Sequence, residues 1–313
     1  MTGESIKRFF KSPGAALQML SYAGLLFWLP DKPYIQLFYR TAFHRKLNLR
    51  DPKTYSEKIQ WLKLYHRDPL YTVLSDKYAM RGYASEILGD DYMVPLLGIW
   101  DTFGEINFEK LPNQFVLKCT RDSGSVIICR DKTTFDKAKA KTRLEKTMKR
   151  NYYRITREWG YKNIRPRIIA EKYLFDENEC GLKDYKFTCM NGEPRYLFTC
   201  QNRGGEGGLQ VDAYNMQLQH LELREKNYAN SPKPFATPAS LEKMLQICRT
   251  IAKPFPLIRI DFYDVCGRPY IGEFTFYPTG GLHRFYPEEW DEIIGSGLIL
   301  PEKDKNSKTE SEK

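Results

Sequence analysis

LIRIDFYDVCGRPYIGEFTF, residues 257–276, is the stretch from which the fold can be built. Arg259, Asp261 and Tyr263 are interleaved with Ile258, Ile260 and Phe262, the two-residue period of a strand over Leu257–Tyr263. A second strand spans Pro269–Phe276, and the turn between them contains Gly267. Side chains two residues apart share a face, so Arg259, Asp261 and Tyr263 point the same way. A hairpin centred on Gly267 sets Glu273 opposite Asp261, with Thr275 on the face of Glu273. Two carboxylates, a hydroxyl and an Arg on neighbouring strands suit a hard cation such as Mg²⁺ that bridges phosphates. Solvent-facing acids are the alternative. The apolar residues around them favour a buried pair, and a buried carboxylate needs a partner. Amides at Asp261 and Glu273 are then expected to relieve repulsion in the metal-free protein.

Upstream, Phe115–Cys119 (FVLKC) and Val126–Cys129 (VIIC) read as strands joined by Thr120–Ser125 (TRDSGS). Small residues at Ser123, Gly124 and Ser125 let backbone N–H groups approach phosphate, with Lys118 as counter-charge. An ordinary hairpin with a polar turn is the alternative, since the Walker A pattern is absent. A basic helical stretch covers about 134–158. Strands follow at Ile168–Leu174, Tyr185–Met190 and Tyr196–Cys200, the last two joined by Asn191-Gly192, a strong hairpin signal. The first of these either offers edge backbone groups to a purine or is a plain strand. Thr237-Pro238 starts a helix with Leu241, Met244, Leu245, Cys248 and Ile251 inward.

The first ninety or so residues read as helical. Thr54-Tyr55-Ser56-Glu57 is a capping box opening a helix with Ile59, Leu62 and Tyr65 at helical spacing. Asp76 caps a second helix with Ala79, Tyr83 and Ile87 on one face. The class is α+β with antiparallel hairpins, not a regular βαβ array.

Composition narrows the function. The 313 residues are 42% hydrophobic and 28% charged, ordinary for a globular chain. Seven Cys without a CxxC pair point to a reduced, cytoplasmic chain, and the four His share no ligand spacing. No GxSxG or His-paired nucleophile stands out. The net charge of +10 is concentrated in 121–172, where phosphate binding and a solvated helix face are both open readings. No RRM, zinc-finger or helix-turn-helix signature accompanies the charge, so nucleic acid is not expected as a partner. The apolar run Ala23–Pro30 is far short of the ~20 residues of a membrane span. It reads as a helix packed on the main body, with a signal peptide or a segment lying on the inner membrane surface as alternatives.

Taken in order, these pieces resemble the ATP-grasp superfamily: Asp76-Lys77, FVLK at 115–118, the Ser/Gly loop, Ala170-Glu171-Lys172-Tyr173-Leu174, Asp184-Tyr185-Lys186-Phe187, Arg259-Ile-Asp261 and Gly272-Glu273-Phe-Thr275. PKTYSEKIQWLKLY at 52–65, Asp76–Ala79, VPLLG at 94–98 and PEEWD at 287–291 narrow this to a resemblance, over about 34–300, to the TupA-like ATP-grasp family associated with cell-surface polysaccharide synthesis. The resemblance implies ATP held between two α+β subdomains. It gives phosphate to Lys77, Lys118 and Ser123–Ser125, adenine and ribose to Glu171, Lys172, Tyr173 and Leu174, and Mg²⁺ to Asp261, Glu273 and Thr275. It implies an amide-forming ligase: a carboxylate is phosphorylated by ATP, and an amine then displaces phosphate. An ATP-grasp kinase and a basic binding module are the alternative functions. Arg259, Lys186 and Arg203 are the expected catalytic cations, with Arg284 near the cleft and the Gly-rich 204–208 able to fold over substrate. Asp122 beside a triphosphate is repulsive unless it turns away or meets metal. The expected divisions are 1–95 helical, 96–175 the lid subdomain, 176–300 the large subdomain and 301–313 a disordered tail.

Overall fold

The computed structural model describes residues 13–175, 182–201, 208–225, 228–232 and 235–303. Arg203, the segment 204–207 and the tail 304–313 therefore lie outside the described residues.

The capping box forms as expected. Thr54 accepts from the backbone N–H of Glu57, and the Glu57 carboxylate returns to the backbone of Thr54. It opens α3 (Tyr55–Tyr65), preceded by α1 (Pro13–Tyr22) and α2 (Asp31–Phe43) and followed by α4 (Leu70–Ser75) and α5 (Ala79–Leu88). Asp76 Oδ1 accepts from the N–H groups of Tyr78 and Ala79 at 2.8 and 3.3 Å. Met80 and Ala84 are the buried residues of α5; of the expected face, Tyr83 is half-buried and packs against the core, Ala79 is half-buried and Ile87 is exposed. The run Ala23–Pro30 is not one packed helix either: it is the turn between α1 and α2, with Leu26 and Leu29 packed inward and Leu25 and Trp28 outward.

Two antiparallel sheets carry the rest. The first has the order β1 (Leu96–Trp100), β4 (Ile168–Lys172), β2 (Phe115–Cys119), β3 (Ile127–Cys129). The expected strand Ile168–Leu174 thus stops two residues early. The basic stretch is two helices, α6 (Lys137–Met148) and α7 (Tyr152–Thr156), and Ala140 and Leu144 of α6 fill the core under this sheet. The second sheet runs β10 (Arg268–Thr275), β9 (Leu257–Val265), β5 (Asp184–Met190), β6 (Glu193–Gln201), β7 (Gln210–Asn215). The β5–β6 turn has positive φ at both Asn191 and Gly192, as an Asn-Gly hairpin requires. Helix α8 (Leu241–Ala252) buries Met244, Ile247, Cys248 and Ile251 in the largest core, which Ile59, Leu62, Leu74 and Met80 close from the N-terminal helices. A short pair, β8 (Arg224–Glu225) with β11 (Phe285–Tyr286), and α9 (Glu289–Ser296) complete the chain. Among the described residues no helix is long and apolar enough to cross a membrane.

Candidate functional site

The β9–β10 hairpin sets the centre of the site. Its turn is Cys266-Gly267, both at positive φ, so the ladder begins with Arg268 opposite Val265 and continues to Ile271 opposite Phe262. Continued unchanged, this register would place Glu273 opposite Ile260, in the core. A bulge at Gly272 adds one residue, and Glu273 instead faces Asp261, with Thr275 opposite Arg259. Ile271 stays in the core while Glu273, two residues on, emerges on the other face.

On that face Arg259 is the hub. Its Nε donates to Asp261 Oδ1 at 2.6 Å, and its Nη2 to Asp261 Oδ2 at 2.8 Å, Glu273 Oε1 at 3.3 Å and Thr275 Oγ1 at 3.3 Å. Lys186, opposite Asp261 on β5, donates to Asp261 Oδ2 and lies 3.6 Å from Asp184 Oδ2. Burial favours the neutral acid, but Arg259 and then Lys186 outweigh it and hold Asp261 below the usual carboxylate range. Burial likewise opposes the charge on Lys186, which Asp261 and Asp184 more than restore, raising its pKa. The carboxylates are therefore not a repulsive pair, and the expectation that amides relieve repulsion is overturned: Asp261 neutralises two buried cations.

Among the described residues no group of three or more His, Cys, Asp or Glu is arranged to hold a metal ion. The oxygen set is two carboxylates and one hydroxyl, all three within 3.3 Å of the single atom Arg259 Nη2. In donor type these oxygens fit Mg²⁺, a hard cation that keeps waters and takes substrate phosphates for its other positions, and here the Arg259 guanidinium engages all three.

The Lys118 loop lies on the first sheet. Lys118 Nζ pairs with Glu171 Oε2 at 2.6 Å, and Arg81 holds the other oxygen at 3.1 Å. The Glu171 side chain is thus buried between two cations, and the N–H of Lys172 donates to Pro95 O. In the loop, Ser125 Oγ accepts from the N–H of Cys119 at 3.0 Å and donates to Asp122 Oδ1 at 2.5 Å. Asp122 turns inward, its carboxyl pushed up by burial. Lys77, buried under the loop, donates from Nζ to the Asp122 carbonyl. Gly124 has φ +99°, with open space beside its Cα. The helix α6 lysines, Lys139 among them, are solvent-exposed.

A cavity of about 490 Å³ joins these parts: Ser123 of the loop and Arg259, Glu273 and Thr275 of the hairpin all line it. Asp261, Lys77, Lys118, Gly124, Ser125, Lys186 and Glu171–Leu174 are not on its wall, and Arg284 is tied to Glu288 at 2.6 Å. Helices α1 and α2 supply part of the wall. Sequence reading did not find three further residues of its lining, Lys63, Glu158 and Tyr277. Lys63 Nζ donates to Thr156 O at 3.1 Å and to Gly280 O at 2.5 Å. Burial raises the Glu158 carboxyl against the pull of Lys63, and burial lowers Lys63. Tyr277 Oη is buried and has no hydrogen-bond partner among the described residues. One signal was present: Lys63 follows Ile59 by four residues, a charge on the apolar stripe of a helix. Glu158, in an irregular connection, gave none.

No curated protein matches this chain. Among solved structures, D-alanine–D-alanine ligase from Bacillus anthracis complexed with ATP is similar at 15% identity and TM-score 0.41, over 72% of this chain and 66% of that one. The Helicobacter pylori D-Ala–D-Ala ligase gives 14% and 0.39, over 78% of this chain and 68% of that one. An ATP-grasp ligase, PsnB, complexed with a precursor variant, Mg and ADP, gives 8% and 0.43, over 77% and 63%. The chain thus spans just under two thirds of the Bacillus ligase, and likeness at this level assigns neither activity nor substrate. The family model described as TupA-like ATPgrasp matches residues 57–299, which include Lys77, the Lys118 loop and the whole β9–β10 hairpin. On that match, the chain belongs to the TupA-like ATP-grasp family and has its α+β fold.

Proposed function

We propose that this protein is an ATP-dependent carboxylate–amine ligase that acts with Mg²⁺ through an acyl phosphate, on a cell-surface polysaccharide or its precursor. The observation that supports the reading is the grouping of Asp261, Glu273 and Thr275 around the Arg259 guanidinium, with Arg259, Glu273 and Thr275 lining the cavity that Ser123 of the Lys118 loop also lines. In this reading the first sheet is the lid over 96–175, and 176–300 is the larger subdomain. Bound Mg²⁺ would supply charge neutralisation between the β- and γ-phosphates. Lys118 and the Ser123–Ser125 backbone would hold the phosphates, and Glu171–Leu174 the adenine and ribose. Arg259 would orient the acceptor carboxylate, with Lys186 keeping Asp261 ionised. About 490 Å³ is room for a monosaccharide-sized acceptor. Glu158, which lines the cavity, would take a proton from the amine, and its raised pKa suits that transfer. Free cysteines, five of the six described ones buried, accord with a reducing cytoplasm.

The test is an ADP-release screen of the purified protein with Mg²⁺, uronic acids and amino acids in pairs. Ligase action gives ADP and free phosphate only when both partners are present. Phosphate retained on a sugar would make the protein a kinase. Nucleotide that neither binds nor turns over would remove the reading altogether.

A further inference from the structure

The turn between α1 and α2 exposes more large apolar surface than a single scattered side chain. Trp28 is 76% exposed, Leu25 60%, Tyr22 50% and Leu37, on α2, 40%. The turn is nevertheless fixed. Leu26 and Leu29 pack against the Tyr34, Ile35 and Tyr39 cluster. Ser21 Oγ meets Tyr34 Oη at 2.5 Å, and Tyr34 Oη donates to Ile155 O at 2.6 Å, tying α1, α2 and α7 together.

The rim is cationic. The Arg150 guanidinium lies 5.5 Å over the Tyr22 ring, and that of Arg154 lies 5.5 Å over the Phe27 ring; both Arg are solvent-exposed, as are Lys32 and Lys149. The acid next to this patch in sequence does not balance it. Asp31 is taken up by Arg67 at 2.6 Å, Arg157 at 3.4 Å and the Tyr153 hydroxyl at 2.6 Å. A Trp and Leu tip with a basic collar has the chemistry of a segment seated at the interface of an anionic bilayer, where indole and leucine enter the headgroup boundary and Arg and Lys meet phosphate.

We infer that the Tyr22–Trp28 tip, with Arg150 and Arg154, docks this protein on an anionic membrane surface. Tyr22 also lines the cavity, so docking sets the cavity mouth beside the bilayer. The inference stands apart from the ligase reading, because it concerns the outer rim and not the nucleotide.

The experiment is flotation of the full chain with vesicles of phosphatidylcholine alone, or mixed equally with phosphatidylglycerol, at low and high salt. The wild type is expected to float with mixed vesicles at low salt and to dissociate at high salt or on the neutral vesicles. Leu25→Ala/Trp28→Ser should weaken partitioning at least ~tenfold, because binding scales with buried apolar area. Arg150→Glu/Arg154→Glu should abolish it on mixed vesicles without removing the apolar tip. Both variants should keep the wild-type melting temperature and its Mg-ATP shift; if one fails to fold, the other decides. Failure of the wild type to float would overturn the inference. So would equal flotation of both variants, which would assign binding to the overall charge of +10. A concentration-dependent dimer that Leu25→Ala/Trp28→Ser disperses would assign the patch to a second copy of the chain. Loss of the ATP shift in the wild type would count against the ligase reading and leave this inference intact.

Discussion

Replacing Asp261 by Asn keeps the shape of the side chain and removes the charge that neutralises two buried cations. Arg259 would lose a two-bond partner at 2.6 and 2.8 Å, and Lys186 would lose its nearest acid. The side chains of Asp261, Arg259 and Lys186 are 7%, 16% and 17% exposed, so solvent screens them weakly. Breaking a buried pair by removing one partner costs about 3–5 kcal/mol. With an unfolding entropy of about 2.1 cal/mol/K per residue, this lowers the melting temperature of the 313-residue chain by about 5–8 °C. Glu273→Gln is a different case. Glu273 is 31% exposed and meets Arg259 once, at 3.3 Å. Its loss should cost ~1 kcal/mol or less, under about 2 °C. Both variants should lose the Mg²⁺-dependent shift with ATP. Lys186→Met added to Asp261→Asn removes a cation left with only the more distant Asp184, at 3.6 Å, and should recover part of the loss. Since Asp261 is held below its ordinary value of 3.8, its stabilisation is present above that value and fades as pH falls through the folded pKa. The gap between wild type and Asp261→Asn should therefore narrow in acid. Calorimetry of metal-free protein at pH 7 and in acid reads all of this. An Asp261→Asn variant that melts at or above wild type, or a Glu273→Gln variant as unstable as Asp261→Asn, would refute the reasoning.

Lys118→Ala should weaken nucleotide binding measured by calorimetric titration, whereas Lys139→Ala, on the exposed face of α6, should leave it unchanged; equal damage would mean that the helix, not the loop, holds phosphate. Glu158 has a folded pKa raised from 4.5 to about 7, so its contribution to stability should fall as pH rises across that window, and Glu158→Gln should abolish this limb of the stability–pH curve in urea titrations. An unchanged limb would place Glu158 in a solvated setting. Gly295→Ala should destabilise strongly, because a Cβ there would meet Lys53 O and Tyr55 N at 2.5 Å; a wild-type melting curve would contradict the α9–α3 contact.

The strands around the site were legible because their two-residue period is local. The pairing of Asp261 with Glu273 also came out of the sequence, but through two departures that cancel. The turn is centred between Cys266 and Gly267, not on Gly267, and the bulge at Gly272 makes up the half-residue difference. Alternation alone cannot announce a bulge, though Gly272 between Ile271 and Glu273 is the place for one. The α5 face was misread because Ala79/Tyr83 and Met80/Ala84 both keep helical spacing, and only the neighbouring core chooses between them. Strand β1 escaped because its five residues, LLGIW, neither alternate nor form a long run. Lys63, Glu158 and Arg81 take their roles from contacts with distant segments, Gly280, Thr156 and Glu171, that no local pattern encodes.

The inward turn of Asp122 bears on the thermodynamics of ligand capture. The loop 120–125 is held by its own bonds: Cys119 N–H to Ser125, Ser125 to Asp122, and Lys77 to the Asp122 carbonyl. Its ordering is thus completed when the chain folds and is not deferred to the arrival of a ligand. In the proposed function, a triphosphate meeting this loop would forfeit its own freedom but little of the protein's, so the entropy of association would be less adverse than for a loop that must freeze around its guest. In that reading Lys77, which donates to the Asp122 carbonyl, would act at one remove from the phosphates. Shortening it would leave the charges of Lys118 and Arg259 in place and return to the binding step the disorder that folding had already removed.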